Sequence, residues 1–112
     1  MKIREKSRVC DMCGDICKPV EHHLVFGSGL RDLADEDDLV LDLCIDCHTL
    51  AFRVIDRIHD NVAAERLSKM LGQVMYERNV LAEVFSATPE EAKENILGAR
   101  EAFRNRYGRS YL

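Results

Sequence analysis

Tryptophan is absent from this sequence, proline occurs twice and glycine six times in 112 residues. So little Pro and Gly excludes collagen-like, mucin-like and low-complexity disordered chains. No stretch approaches the roughly 18 consecutive apolar residues that a membrane helix needs. The opening segment, MKIREKSRVC, is charged and has no apolar run, so nothing in it reads as a secretory signal. No internal repeat is visible. With 46% hydrophobic residues the chain has material for one modest core, and the expectation is a single cytoplasmic domain over residues 1–112.

What is present is cysteine, in an informative arrangement. Cys10, Cys13, Cys17, Cys44 and Cys47 are an odd number, and four of them form two CxxC pairs. In a cytosolic chain that spacing argues for metal rather than disulfides. A CxxC turn offers two thiolates to one ion, and Cys10–Asp11–Met12–Cys13 with Cys44–Ile45–Asp46–Cys47 completes a tetrahedral four-thiolate set, the preference of Zn²⁺. A closed set of this kind has no open coordination position, so it staples a fold rather than catalyses. Cys17 is surplus, a buried thiol or an alternative to Cys13. The plainer reading takes the cysteines as small hydrophobes.

Net charge is −4, which argues against nucleic acid until its distribution is considered. Residues 32–46 carry Asp32, Asp35, Glu36, Asp37, Asp38, Asp42 and Asp46 and no base. The remainder is net basic, with Lys2, Arg4, Lys6 and Arg8 near one end and Arg100, Arg104, Arg106 and Arg109 near the other. Such patches can meet phosphates even in an acidic protein. A solvated mixed surface explains them equally well.

The pattern predicts a strand over residues 20–26, a GSG turn at 27–29, an acidic loop and a second strand at 39–43, together a β-hairpin with a long connection. Leu50, Val54, Ile55 and Ile58 then fall on one face of a helix. A second helix over about 61–84 places Ala63, Leu67, Met70, Leu71, Val74 and Leu81 on its apolar side. Gly72 weakens it locally, and Glu65 with Lys69 has the order of an i,i+4 ion pair. A third helix starts with Thr88 as N-cap, Pro89 at N1 and Glu91 closing a capping box. Ala92, Ile96, Ala99, Phe103 and Tyr107 form its stripe, and Gly108 is its stop. The class is α+β, mostly helical. The helical stripes, with Met75 and Phe85, are core in the simpler reading and a dimer face or DNA-contacting arm in the other.

His22 and His23 stand side by side in the first strand, so they point to opposite faces and serve different purposes. His48 directly follows the last zinc-type cysteine. One strand histidine can join His48 around a divalent metal while the other stands nearby as a general base, since a neutral imidazole ligates metal and exchanges protons near neutrality. The simpler alternative is a set of satisfied core and surface histidines.

Taken jointly, CDMC, EHHLVFGSG and DDLVLDLCIDCH resemble the HNH endonucleases with a zinc-bound ββα-metal (His-Me finger) fold. The resemblance covers residues 10–59 and leaves 60–112 as a helical extension; the C-terminal AREAFRNRYGRSYL is similar to the tails of small phage proteins of that type. The resemblance implies a structural Zn²⁺ on Cys10, Cys13, Cys44 and Cys47. It implies a catalytic divalent ion, Mg²⁺, Mn²⁺ or another, on His22 and His48, with His23 as general base. It also implies hydrolysis of DNA phosphodiester bonds, with Arg100, Arg104, Arg106 and Arg109 as candidate phosphate contacts. A homodimer or a larger phage or host complex fits a chain with no separate reading module. The sequence departs from the family at the middle Asn, which orients the base: judged by the Leu-Val that follows, Asp38 takes that place, or Leu39 when counted strictly back from Cys44. The charge of Asp38 favours imidazolium, and with the acidic loop it supports the alternative of a catalytically inactive zinc module that binds nucleic acid or protein.

Overall fold

The computed structural model describes residues 8–83 and 88–112. Lys2, Arg4, Lys6 and Phe85 lie outside them. The chain runs through Val20–His23 (β1), Leu30–Glu36 (α1), Val40–Leu43 (β2), Val62–Ala82 (α2) and Pro89–Tyr107 (α3). β1 and β2 form an antiparallel pair in which His22 faces Leu41 and His23 faces Val40. The hairpin and the α+β class follow the sequence expectation. Its long connection is not a bare loop: α1 fills it, opening after Gly29 in the left-handed conformation at φ 77°.

The helix expected from Leu50, Val54, Ile55 and Ile58 does not form. A wide turn at Asp46–Leu50 and short 3₁₀ turns at Val54–Asp56 and Ile58–Asp60 stand in its place. Arg53 and Arg57 are extended between them. Side chains take carbonyls that a helix would use: Arg57 Nε donates to Ala51 O at 2.7 Å and Asn61 Nδ2 to Ile55 O at 3.1 Å. Of the four apolar residues only Ile58 is buried; Leu50, Val54 and Ile55 are exposed. The broken path has a geometric effect. Eleven residues of straight helix would set His48 and His59 about 16 Å apart, whereas their Nε2 atoms lie 3.0 Å apart.

α2 also reverses its expected face. Leu67, Met70, Leu71 and Val74 are exposed, and the buried residues are Ser68, Gly72, Gln73 and Glu77. Gly72 explains the inversion. A Cβ there would stand 2.7 Å from Val25 Cγ2 and 3.0 Å from Leu24 Cβ, so only glycine lets α2 cross the end of the hairpin this closely. The small and polar residues beside it follow Gly72 inward. Glu65 and Lys69 do not pair with each other; Glu65 meets His59, and Lys69 lies over the Phe26 ring.

α3 forms as its signals require. Thr88 Oγ1 accepts from Glu91 N at 3.1 Å, and Gly108 ends the helix at φ 85°. Ala99, Phe103 and Tyr107 are buried, while Ile96 is half exposed. Phe103 and Tyr107 join Leu24, Val25, Ala34 and Leu39 in the main core. Full burial of a side chain such as Phe103 stabilises by about 1.5–3 kcal/mol. Among the described residues, no helix is long and apolar enough to cross a membrane.

Candidate metal centres and the histidine cleft

Cys10, Cys13, Cys44 and Cys47 converge, each with its sulfur within 4.8 Å of the others. Both CxxC turns have the form in which N–H groups point at sulfur. Met12 N and Cys13 N lie 3.4 Å from Cys10 Sγ, and Cys47 N lies 3.4 Å from Cys44 Sγ. The Cys13 and Cys44 sulfurs are 3.9 Å apart; two thiolates on one tetrahedral zinc at about 2.3 Å each would stand about 3.8 Å apart. The four residues fit a structural metal. Burial opposes charge on Cys10, but the N–H groups directed at its sulfur outweigh this and bring its thiol down to about 6. Burial and the neighbouring sulfurs push Cys47 up. Four thiols this close ionise together only around a cation. Cys17 packs beside the cluster without joining it. Asp11 locks the first turn to β2: Asp11 N donates to Asp42 O and Asp42 N to Asp11 Oδ2, each at 2.8 Å.

The second centre is histidine. His22, His48 and His59 bring one ring nitrogen each to within 4.8 Å of the others. His22 is fully buried. Ser68 Oγ donates to the Leu24 carbonyl at 2.8 Å, so it accepts from His22 Nε2–H, also at 2.8 Å. The proton is therefore on Nε2, and Nδ1 is left as a buried lone pair without a partner in the protein. Burial, reinforced by His59 and His48, lowers the His22 pKa to about 3, which keeps it neutral. Burial lowers that of His48 as well. On His59, Nδ1 lies 3.2 Å from Glu65 Oε2. A carboxylate only accepts, so Nδ1 holds the proton and Nε2 carries the bare lone pair, which faces His48 Nε2 at 3.0 Å. Outer partners of this kind fix the tautomer of metal-bound histidines.

The expected metal histidines, His22 and His48, are thus together, and the structure adds His59, Glu65 and Ser68. His59 carried no motif signal, since its place depends on the broken path between residues 48 and 59. The donor set is three imidazole nitrogens, which suits Zn²⁺, Ni²⁺ or Co²⁺ better than the oxygen-seeking Mg²⁺ and Mn²⁺.

His23 opens on the other face, as alternation requires. Its Nε2 lies 3.2 Å from Asp35 Oδ1, and Arg31 Nε donates to its Nδ1 at 3.3 Å. The carboxylate on His23 is thus Asp35 rather than Asp38. Asp38 adopts a left-handed φ of 59° in the turn after α1, a conformation that Asp tolerates better than most side chains. Glu21 joins His23 and Asp35 in a third group of close ligand atoms. His23, Arg31, His48 and His59 line one cleft of about 170 Å³ with Glu21 and Phe26.

The four C-terminal arginines separate. Arg100 bonds Glu77, Arg104 bonds Glu101, and Arg106 bonds Glu36 and Asp37. Arg109 instead lies over the Tyr111 ring. The acidic run is likewise engaged internally: Asp37 accepts from both Arg106 and Tyr107 at 2.6 Å. Compared with protein-family models, curated proteins and solved structures, the chain matches none of them.

Proposed function

We propose that the protein is a metal-dependent HNH-type endonuclease built on the β1–β2 hairpin and the broken turns that follow it in place of the family's helix, hydrolysing DNA phosphodiester bonds. The observation that carries this reading is the shared cleft: His48 and His59, whose ring nitrogens converge with that of the buried His22, line it together with a fourth histidine, His23, which stands outside that group. A divalent ion on His22, His48 and His59 would supply positive charge for a phosphate oxygen and for the leaving oxygen. His23 is the general base. With Nε2–H directed at Asp35, it takes the proton of the attacking water at Nδ1. Arg31 covers Nδ1 in the free protein, and a guanidinium that transfers to the incoming phosphate uncovers it. The four-cysteine zinc holds the hairpin and takes no part in the reaction.

One observation favours the alternative of a catalytically inactive zinc module: both ring nitrogens of His23 are engaged, and Glu21 adds a second carboxylate beside it. Plasmid cleavage with Mg²⁺, Mn²⁺ or Ni²⁺ separates the two. Under the nuclease reading, cleavage disappears in His23→Ala while zinc content stays at the wild-type level. No cleavage by zinc-loaded wild type with any of the three ions leaves the inactive module. Asp38→Asn then tests whether the usual Asn restores activity.

A further inference from the structure

We infer a phosphate-binding subsite at the corner of α2 and the C-terminal segment, built by Arg66, Lys69 and Arg109 around Tyr111, that holds the backbone of a DNA strand next to the histidine cleft. The inference rests on the proposed nuclease function for the identity of its ligand and goes beyond it in placing a second contact surface.

Arg66, Lys69 and Arg109 line a cavity of about 310 Å³ together with Tyr111 and Ser110, and no acidic side chain lines it. The contrast with the rest of the surface is the first argument. Arg100, Arg104 and Arg106 are each neutralised by a carboxylate, but these three cations have no carboxylate partner among the described residues. Aromatic rings hold two of them instead. The Lys69 ammonium lies 4.7 Å from the Phe26 ring centre and 5.7 Å from that of Tyr111, and the Arg109 guanidinium lies 4.8 Å from Tyr111. A ring face positions a cation and leaves its charge available.

The second argument is that the cavity is braced. Gln73 is fully buried on α2. Its Nε2 donates to Ser110 Oγ at 2.9 Å, and its Oε1 accepts from Tyr111 N at 2.6 Å. One buried amide therefore seats the segment that carries Arg109 and Tyr111.

The third argument is continuity with the cleft. Phe26, under Lys69, also lines the histidine cleft and meets the His59 ring at 4.9 Å. Lys69 follows Ser68, the residue that fixes the His22 tautomer. A strand whose phosphate lies in the cleft has this corner beside it, with a tyrosine among the cations.

The test is fluorescence anisotropy of a labelled 16-base-pair DNA duplex with zinc-loaded full-length protein and no other divalent ion added. The Arg66→Ala/Arg109→Ala double variant is expected to bind about tenfold more weakly or worse. Its plot of log affinity against log salt should be flatter by roughly 2, near 0.9 for each lost phosphate contact. Lys69→Met, which keeps the stem between the rings and removes the charge, should weaken binding severalfold. Zinc content and thermal melting report that each variant is folded. A double variant within twofold of wild type with the same salt slope overturns the subsite, as does a wild type that binds no duplex. Hydrolysis of bis(p-nitrophenyl) phosphate with Mn²⁺ judges the nuclease reading separately, because so small a diester needs only the cleft. Turnover kept by a double variant that has lost duplex binding supports both proposals. Absent turnover with that same binding loss retains the subsite and removes the nuclease.

Discussion

At the scale of single residues, the protein uses histidine in four environments. His22 is sealed, His48 and His59 are half-buried, and His23 borders the cleft. Outer hydrogen bonds set which nitrogen of His22 and of His59 is bare. His59→Ala is therefore expected to lower affinity at the histidine centre by at least tenfold, and Ser68→Ala by about 10–100-fold, the usual cost of losing an outer partner. Metal titration followed by elemental analysis should show the four-cysteine ion retained in both. The pH dependence has a definite sign. His22 titrates near 3 in the folded chain and near 6.5 when unfolded, so above about 6.5 both states are neutral and its contribution is fully present. As pH falls from there toward 3, the unfolded state takes up a proton that the native state refuses, and stability is lost. Melting temperature should decline across that window, and less steeply in His22→Gln.

The two CxxC pairs and the HH pair were legible at this scale, because knuckle geometry and strand alternation are local rules. Asp35 was not. Its contact with His23 depends on α1, which the acidic composition of residues 32–38 concealed. Asp38 was singled out by its place before Leu39 and Val40, but its backbone serves the turn that ends α1.

At the scale of elements, α2 sets the architecture through what it omits. Gly72→Ala would force a methyl group to 2.7 Å from Val25 Cγ2 and 3.0 Å from Leu24 Cβ. The expected cost is about 1–3 kcal/mol, typical of overpacking, measured by urea unfolding. The residue that seemed a local weakness in a helix is the one that allows the helix to dock. Hydrophobic periodicity misread α2 for this reason: Leu67, Leu71 and Val74 do recur at helical spacing, but tertiary fit to the hairpin selected the opposite face. The third helix was legible at its ends, because Thr88, Pro89 and Gly108 act through nearby backbone groups. The four cysteines join the turn before β1 to the residues after β2. Cys44→Ser, or exhaustive chelation, is expected to abolish the cooperative melt, since a metal held by the four would tie those two segments together.

At the scale of the whole molecule, part of the acidic segment is paired within the fold, although most of its acids remain exposed. Glu36 and Asp37 anchor α3 through Arg106 and Tyr107, and Asp35 holds His23. A chain that is net acidic can therefore keep a basic corner at Arg66, Lys69 and Arg109. Arg106→Ala leaves Asp37 with Tyr107 alone and is expected to destabilise the fold by about 1–3 kcal/mol, read as a lower melting temperature. Charge counts alone could not reveal this division, because pairing between residues some 70 positions apart is a property of the folded chain.

The inverted face of α2 also has a consequence for inheritance. In an ordinary amphipathic helix the leucines are the positions that tolerate least change. Here the constrained letters are Glu65, Ser68, Gly72, Gln73 and Glu77, which bond the clustered histidines, permit a crossing, seat the segment around Tyr111 or pair with Arg100 of α3, while Leu67, Leu71 and Val74 face outward. A saturation library scored for folded, metal-loaded protein should show tolerance at the leucines and intolerance at the polar positions. Descendants of this chain would then diverge fastest where a reader of hydrophobic patterns expects them to be most alike.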